Sequence, residues 1–394
     1  MNQNEKQDLS LRLITGASLL IENRSLWSFH PFTQEVHSWE CDYPEASDFL
    51  RSWTPEEVEH FEMCPQNHPE APSSILDIFS RCQEYTNLPI MYDSSFSCSK
   101  QLLLNIKERK RHQLIPFISC IQDPCLNYVD WCCGKGHLGR MLASIFGANI
   151  VGIENNLQVI EKGRSLAPQK QVFIECDVFH NDIPDFQGGM VALHSCGSLL
   201  TKAMEQVFEQ DLQECFLVSC CYHKINEEFY VPMSETGKKQ HVCFTKKELR
   251  LPSTLEHHAS KKSKRRRRAD MRYRLSIDYI LQEIGFHSSY TSFPPVPDFW
   301  KDLSFQEYVD QVWARENYPS ISKINVKNME EKGREQLRII RALSSFRSMF
   351  GRVLEVWINT DRALWLQEKG YNVTLGICMP KSASPRNIAI QAKL

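Results

Sequence analysis

The sequence predicts an α/β fold: a mostly parallel sheet flanked by helices and closed by a C-terminal β-hairpin. A helical N-terminal region precedes it, and a basic insertion follows the fifth strand. Three observations carry this expectation. From residue 125, short apolar runs alternate with stretches at helical spacing, the signature of βαβ units. A glycine-rich turn stands between the first apolar run and the helix after it. The chain ends in two strand-like runs joined by Lys381 to Arg386.

Residues 1–104 form the N-terminal region. Its aromatics, Trp27, Phe29, Phe32, Trp39 and Trp53, lie scattered among Pro, Ser and Glu. Thr54-Pro55-Glu56-Glu57 reads as a helix start, with proline just inside and acids in the first turn. Pro65, Pro69 and Pro72 then interrupt the chain. A basic helix is expected over 101–120, carrying Lys107, Arg109, Lys110 and Arg111. The second domain, 105–394, holds the apolar runs Leu126–Trp131, Ile150–Glu154, Val172–Cys176, Met190–His194 and Cys215–Cys220. Helices are expected from Leu138 to Phe146, up to about Leu166, and from Leu199 to Phe208. The insertion spans about 224–350. Within it, residues 235–274 carry 14 Lys and Arg against 4 Asp and Glu, a local +10 that leaves −12 for the rest. A helix from about Asp270 to Ile284, the stiff Pro294–Pro297 connector and a helix over 328–369 follow. The terminal strands are read at Val373–Met379 and Asn387–Ala392.

Composition excludes several classes. At 394 residues, 42% hydrophobic and 24% charged, the chain is not disordered, collagenous or a disulfide scaffold. Its 46 basic and 48 acidic residues nearly balance, so it is not a polycation built to coat nucleic acid. No apolar run reaches the roughly 18 residues of a membrane span, and Met1–Leu13 lacks the apolar centre of a signal peptide. An odd cysteine count of 15 in a long chain fits reduced thiols in a cytoplasmic or, in a eukaryote, nuclear compartment.

The most informative stretch is Asp130-Trp131-Cys132-Cys133-Gly134-Lys135-Gly136-His137-Leu138-Gly139-Arg140. Glycines there let the backbone approach a ligand, and the following helix offers unpaired N–H groups. Glu154 ends the second strand, where a carboxylate can accept both hydroxyls of a ribose. Asp177 ends the third, within reach of an adenine amino group. Together they form an adenosine-binding constellation. Two cofactors fit it, NAD and S-adenosylmethionine. Asp130 favours the second: a carboxylate there suits the amino end of a methionine moiety and gains nothing from a pyrophosphate. The terminal hairpin also argues against a second mononucleotide half.

These residues resemble a known family. The motifs are Val129–Arg140, Leu193-His194-Ser195-Cys196-Gly197 and Ser219-Cys220-Cys221-Tyr222-His223, with Asp361-Arg362 and Ser384-Pro385-Arg386-Asn387 near the end. As a set they resemble Rossmann-like methyltransferases that include the ribosomal RNA adenine dimethylase domain-containing and glutathione S-transferase C-terminal domain-containing proteins. The likeness runs from about 105 to 394 with gaps. It implies a seven-stranded sheet, S-adenosyl-L-methionine as cofactor, and cofactor contacts from Asp130, Gly134, Gly136, Glu154 and Asp177. Cys132, His137 and His194 complete the candidate cofactor set. The rRNA dimethylases carry an Asn/Asp-Pro-Pro-Tyr-type motif after the fourth strand. Here that position reads His194-Ser195-Cys196-Gly197, without the proline pair or the stacking aromatic.

Methyl transfer requires alignment of a nucleophile and, where needed, removal of its proton. His194 and His223 are candidate bases at the ends of strands four and five, and Tyr222 is a candidate to stack on a planar substrate. Each also has a purely structural reading. Cys132, Cys133, Cys196, Cys220 and Cys221 all fall at strand ends. A shared zinc or iron–sulfur site is one reading and inert buried thiols the other. The vicinal pairs lack the usual spacer, so no metal ligand is assigned. Lys261–Arg268 reads as a solvated loop, an RNA contact or a nuclear import signal. Phe293–Trp300 is either a lid or core. The expected activity is methylation with RNA as substrate and protein second. The competing readings are a non-catalytic module of the same fold that binds RNA or a partner, and an NAD-dependent oxidoreductase.

Overall fold

The structure, a computed structural model, describes residues 8–32, 36–63, 71–253, 261–287, 290 and 293–394. Pro65, Pro69 and the 254–260 part of the basic segment lie outside the described residues, as does the side chain of Lys261. The chain folds as two compact units. The first comprises 1–22, 84–257 and 350–394, the second 23–83 and 258–349. None of the described helices is long and apolar enough to cross a membrane.

The first unit is built on a seven-stranded sheet. Its strands are β1 (Asn127–Trp131), β2 (Asn149–Glu154), β3 (Gln171–Glu175), β4 (Gly189–Ser195), β5 (Glu214–Ser219), β6 (Asn372–Ile377) and β7 (Ile388–Lys393). The order is β3-β2-β1-β4-β5-β7-β6. The first five strands run parallel and β7 is antiparallel to both neighbours. Every residue of β5 is buried, as a central strand covered on both faces requires. Its Glu214 is kept there by the Tyr128 hydroxyl, which donates to it, and by Lys393 at 3.5 Å. β1 and β4 are neighbours although their crossovers run in opposite directions. Their carboxyl ends therefore diverge into a crevice, where ligands bind in open α/β sheets.

Helices follow the sequence signals closely. His137–Phe146 buries Leu138, Met141 and Leu142 at helical spacing. Leu157–Arg164 starts at Asn156, whose side chain accepts the Val159 N–H at 3.2 Å. The helix expected over 101–120 begins at Glu108 and ends at Ser119. The 43-residue helix Val326–Glu368 gives its last turns to this unit, where Asn359, Thr360, Asp361 and Arg362 are fully buried. Asp361 stays in the interior because it accepts four bonds. They come from the Tyr230 hydroxyl, the Met233 and Ser234 N–H groups, and the Ser234 hydroxyl, at 2.6–3.1 Å.

The second unit has its own apolar interior. Trp27, Trp39 and Trp53, scattered in sequence, are all buried. Thr54 and Glu57 form the reciprocal cap of the helix Pro55–Met63. The basic run corrects the loop reading: it is the start of a helix, Lys261–Glu283, nine residues longer at its front than expected from Asp270. Arg266 is paired with Asp302, Nε at 3.0 Å, and Arg268 lies 3.5 Å from Glu59. Phe293 and Trp300 belong to the cluster around Tyr308 and Val309, whereas Phe299 is 65% exposed. A lid is therefore not built from the first two.

Removing the Asp361 carboxylate leaves three buried donors and the part-buried Met233 N–H without an acceptor. Asp361→Ala should lower the unfolding free energy by about 3 kcal/mol or more. Urea denaturation reads this directly, and a loss below about 1 kcal/mol would show the network to be dispensable.

Candidate functional site

At the carboxyl end of β1 the chain turns sharply. Cys132, Gly134 and Gly136 all have positive φ, at 53°, 56° and 65°. The turn is held by Cys133 N–H to the Ile153 carbonyl (2.9 Å), Gly134 N–H to Glu154 Oε2 (3.0 Å) and Gly136 N–H to the Cys133 carbonyl (3.0 Å). The two glycines serve different ends. A Cβ on Gly134 would meet nothing within 4 Å, so this residue faces open space. A Cβ on Gly136 would stand 2.3 Å from Gln171 Nε2 and 2.5 Å from the Phe173 ring. On the side a Cβ would occupy, Gly136 is thus pressed against β3. Gly136 therefore has a packing role at this turn.

The carboxylates gather around this turn. Asp130 is 2% exposed, and its Oδ2 accepts the Gly139 N–H at 3.0 Å, tying β1 to the following helix. Burial pushes its pKa up to about 7, with the Gly139 bond and the Lys110 charge opposing. Glu154 accepts from Gly134 with one oxygen and from the Asn155 and Asn156 N–H groups with the other, at 3.0–3.1 Å. A carboxylate with about four lone-pair positions retains room for one further donor, on the oxygen that accepts from Gly134. Asp177 is half-exposed beyond β3. It accepts the Phe179 N–H at 3.0 Å, and His180 lies 3.2 Å away. These contacts hold its carboxyl below the usual range, the Phe179 bond first.

A cleft of about 380 Å³ opens beside the turn. Asp130, Cys132, Cys133, Gly134 and His137 line one side, Leu193 contributes from β4, and Asn105, Lys107 and Lys110 come from the segment before β1. Glu154, Asp177 and His194 are not among its lining residues. Lys110 is the addition the sequence reading missed. It was visible there as part of a basic helix, with nothing to say that the helix lies over the strand ends. Burial lowers the Lys110 pKa, while Asp130 acts to raise it. His137 stands at the first helical position. Burial, then the nearby Arg140, Lys110 and Lys135 charges, lowers its pKa to about 4.

His194 occupies a register shift between β4 and β5, with φ at 69°. Burial, with Lys110, Arg109 and Arg386 adding to it, lowers its pKa to about 3. Its imidazole is therefore neutral at physiological pH, and its Nδ1 is buried without a hydrogen-bond partner. His223 is half-buried, its pKa lowered mainly by burial. Tyr222 is corrected. It is 1% exposed, its hydroxyl donates to Glu355 Oε1 at 3.0 Å, and it accepts from Asn359 Nδ2 at 2.9 Å. A ring so enclosed cannot stack on a substrate. Of the five strand-end cysteines, Cys196, Cys220 and Cys221 bring their sulfurs within 4.8 Å of one another. Cys132 and Cys133 instead line the cleft.

Residues 109–228 match a family model described as a methyltransferase domain. The matched segment contains β1 to β5 and the turn. A search of curated proteins found no match. Several solved structures align with low overall similarity. Coclaurine N-methyltransferase, bound to N-methylheliamine and SAH, is 13% identical over 98% of both chains, with a TM-score of 0.26. A plantazolicin methyltransferase bound to a desmethyl analogue and SAH is 13% identical, covering 71% of this chain and 96% of its own, with a TM-score of 0.24. Precorrin-6y C5,15-methyltransferase from Geobacter metallireducens GS-15 is 18% identical over 34% of this chain and 73% of its own, with a TM-score of 0.21. The strand order, not these likenesses, defines the fold.

The two turn glycines should respond differently to alanine. Gly134→Ala meets no atom and pays only the left-handed backbone, about 1–2 kcal/mol. Gly136→Ala adds overlap with Gln171 and Phe173 and should cost at least about 2 kcal/mol more. Equal urea midpoints for the two variants would contradict the packing role of Gly136.

Proposed function

We propose that this chain is an S-adenosylmethionine-dependent methyltransferase acting on RNA. One observation carries the cofactor. Within the segment that matches the methyltransferase model, a buried Asp130 and a Gly134 that leaves the turn open line one cleft, and Gly134 N–H donates to Glu154 at the next strand end. When bound, S-adenosylmethionine supplies an electrophilic methyl group on its sulfonium. The chain's own groups orient it. Asp130 takes the α-ammonium and Lys110 the α-carboxylate of the methionine end. Glu154 accepts a ribose hydroxyl on the oxygen that also holds Gly134, and Asp177 accepts from the adenine amino group. The strand order speaks against NAD, because an antiparallel hairpin stands where a dinucleotide fold continues its parallel second half.

His194 is the proposed base. Its neutral imidazole can accept a proton from a hydroxyl or amino nucleophile as the methyl is transferred. His223 is the second candidate, and Tyr222 is withdrawn. The kinship with the rRNA dimethylase domain-containing and glutathione S-transferase C-terminal domain-containing proteins belongs to this proposal. It is supported by motifs that meet physically, Arg362 Nη1 donating to Ser219 Oγ at 2.9 Å.

RNA is favoured by the basic start of Lys261–Glu283. Lys262 and Arg265 are exposed and Lys264 half-exposed, so they offer cations to a phosphate backbone, with Arg265 Nη2 only loosely paired to Asp302 at 3.8 Å. Arg266 and Arg268 are occupied by Asp302 and Glu59 and are best left intact in a test.

Calorimetric titration with S-adenosylmethionine, S-adenosylhomocysteine and NAD tests the cofactor, with binding of the first two alone expected. Binding without transfer to RNA or protein fractions would leave the non-catalytic module. Glu154→Ala should weaken binding by about 1–3 kcal/mol; unchanged affinity would move the ribose elsewhere.

Asp130 gives a pH signature. An ammonium ligand favours its carboxylate, so below pH about 7 binding must first displace a proton. S-adenosylhomocysteine affinity should be flat above that point and fall by up to about tenfold per pH unit below it. Asp130→Asn should flatten the profile. A wild-type profile without an inflection would take Asp130 out of the ligand site.

Replacing Lys262, Lys264 and Arg265 with Gln should reduce RNA affinity and lower its salt slope by about 2. An unchanged slope, with methyl transfer to protein, would favour a protein substrate.

A further inference from the structure

The thiols of Cys196, Cys220 and Cys221 take no part in the proposed methyl transfer, yet they converge from two different strand ends. Cys196 lies just beyond β4, and Cys220 and Cys221 directly follow β5. Their three sulfurs fall within 4.8 Å of one another, the sole such group of three potential ligands among the described residues. We propose that these three cysteines form a thiolate site for a zinc ion that clips the loop after β4 to the loop after β5.

The number and direction of the sulfurs favour this. In a reducing compartment three thiols have little reason to crowd together. Zinc gives each of them a bond and takes up their negative charge. Zinc–sulfur bonds of about 2.3 Å in a tetrahedral site space sulfurs about 3.8 Å apart, inside the observed envelope. The Cys196 and Cys220 sulfurs, 2.7 Å apart, would open by about 1 Å, a side-chain adjustment. Both of these thiols also donate to the His194 carbonyl, at 3.7 and 3.2 Å, so they already point to one place. Lys224 contributes a nearby positive charge that offsets a thiolate-rich site. All three residues are half-buried, which leaves the fourth tetrahedral position to water or an added ligand. The vicinal Cys220–Cys221 pair, which counted against a shared metal in sequence, is completed here by the third sulfur from the neighbouring strand.

A disulfide between Cys196 and Cys220 is the competing chemistry. It would leave Cys221 over and would need an oxidant. The zinc site is independent of the cofactor reading, and its test uses metal content rather than activity.

The full chain should be purified under reductant without chelator and its zinc measured by mass spectrometry. About one zinc per chain is expected. Cys196→Ser and Cys221→Ser should each lose it, and Cys41→Ser, an exposed cysteine elsewhere, should retain it. Zinc kept equally in all three variants would overturn the site. So would metal-free protein that fails to develop thiolate-to-cobalt charge-transfer bands with Co²⁺, and peptide mapping that recovers a Cys196–Cys220 disulfide would assign the pair to redox chemistry instead. Where the variants fail to fold, wild-type protein suffices. Zn²⁺ should protect Cys196, Cys220 and Cys221 from iodoacetamide, and a strong chelator should restore labelling. Identical labelling with and without Zn²⁺ would also overturn the proposal.

Discussion

The buried Asp130 carboxylate is the constraint around which the site is arranged. It stands one residue before the end of β1 in a nearly water-free place and accepts the Gly139 N–H, one of the donors a helix start leaves unpaired. That bond fixes how soon the chain turns from strand to helix, and hence how tightly the Cys132–Gly136 loop must curl. The helix can lie this close because position 139 is glycine: a Cβ there would stand 2.6 Å from Ile150. Desolvating a carboxylate costs several kcal/mol unless it is compensated. The positive end of the helix and Lys110 supply that compensation. The residue that shapes the turn therefore also sets the charge of the cleft, and neither can change alone.

Behind the strand ends lies a second support. Arg362 donates to Ser219, Ser219 to Asn359, Asn359 to Tyr222 and Tyr222 to Glu355, at 2.9–3.0 Å throughout. Arg352 continues the series, donating to Glu355 Oε2 at 2.6 Å and to Asn387 at 2.9 Å. This line of bonds joins the end of β5 to the loop before β7 through one helix. It explains why motifs far apart in sequence occur together. It also gives Tyr222 and Arg362 structural work: the fully buried guanidinium donates through Nη1 to Ser219 and has the Tyr222 ring 5.8 Å away.

Much of this was legible in the sequence, for definite reasons. Strands buried on both faces read as apolar runs, and all seven strands lie within a residue or two of their expected places. The turn was legible because left-handed backbone selects glycine, and Glu154 because it ends a strand. What periodicity cannot show is direction. Tyr222 was read toward the cleft because it follows a strand end, but Glu355 and Asn359, far along the chain, hold it inward. Gly136 matched a fingerprint whose spacing is silent on whether the missing Cβ makes room for a ligand or for Phe173. The basic run looked like a loop because its composition lacks an apolar face. Ion pairs to Asp302 and Glu59, invisible locally, accompany its helical form.

The backbone at His194 shows how such distant contacts become local geometry. A histidine at φ 69° sits where L-residues are strained by about 1–2 kcal/mol, and it does so at an irregularity between two central strands. Such a conformation persists only if its neighbours demand it. The Cys196 and Cys220 thiols both donate to the His194 carbonyl, and the Ser195 that follows is already back in register with Ser219. Ser219 is in turn held by Asn359 and Arg362. The carbonyl is thus drawn toward the sulfurs while the strand beyond it is fixed, and positive φ is the backbone's way of meeting both demands. The same rotation leaves the imidazole in a desolvated position beside several cations, which keeps it unprotonated. The strain at His194 and the charge state of the candidate base thus go together with one peptide orientation.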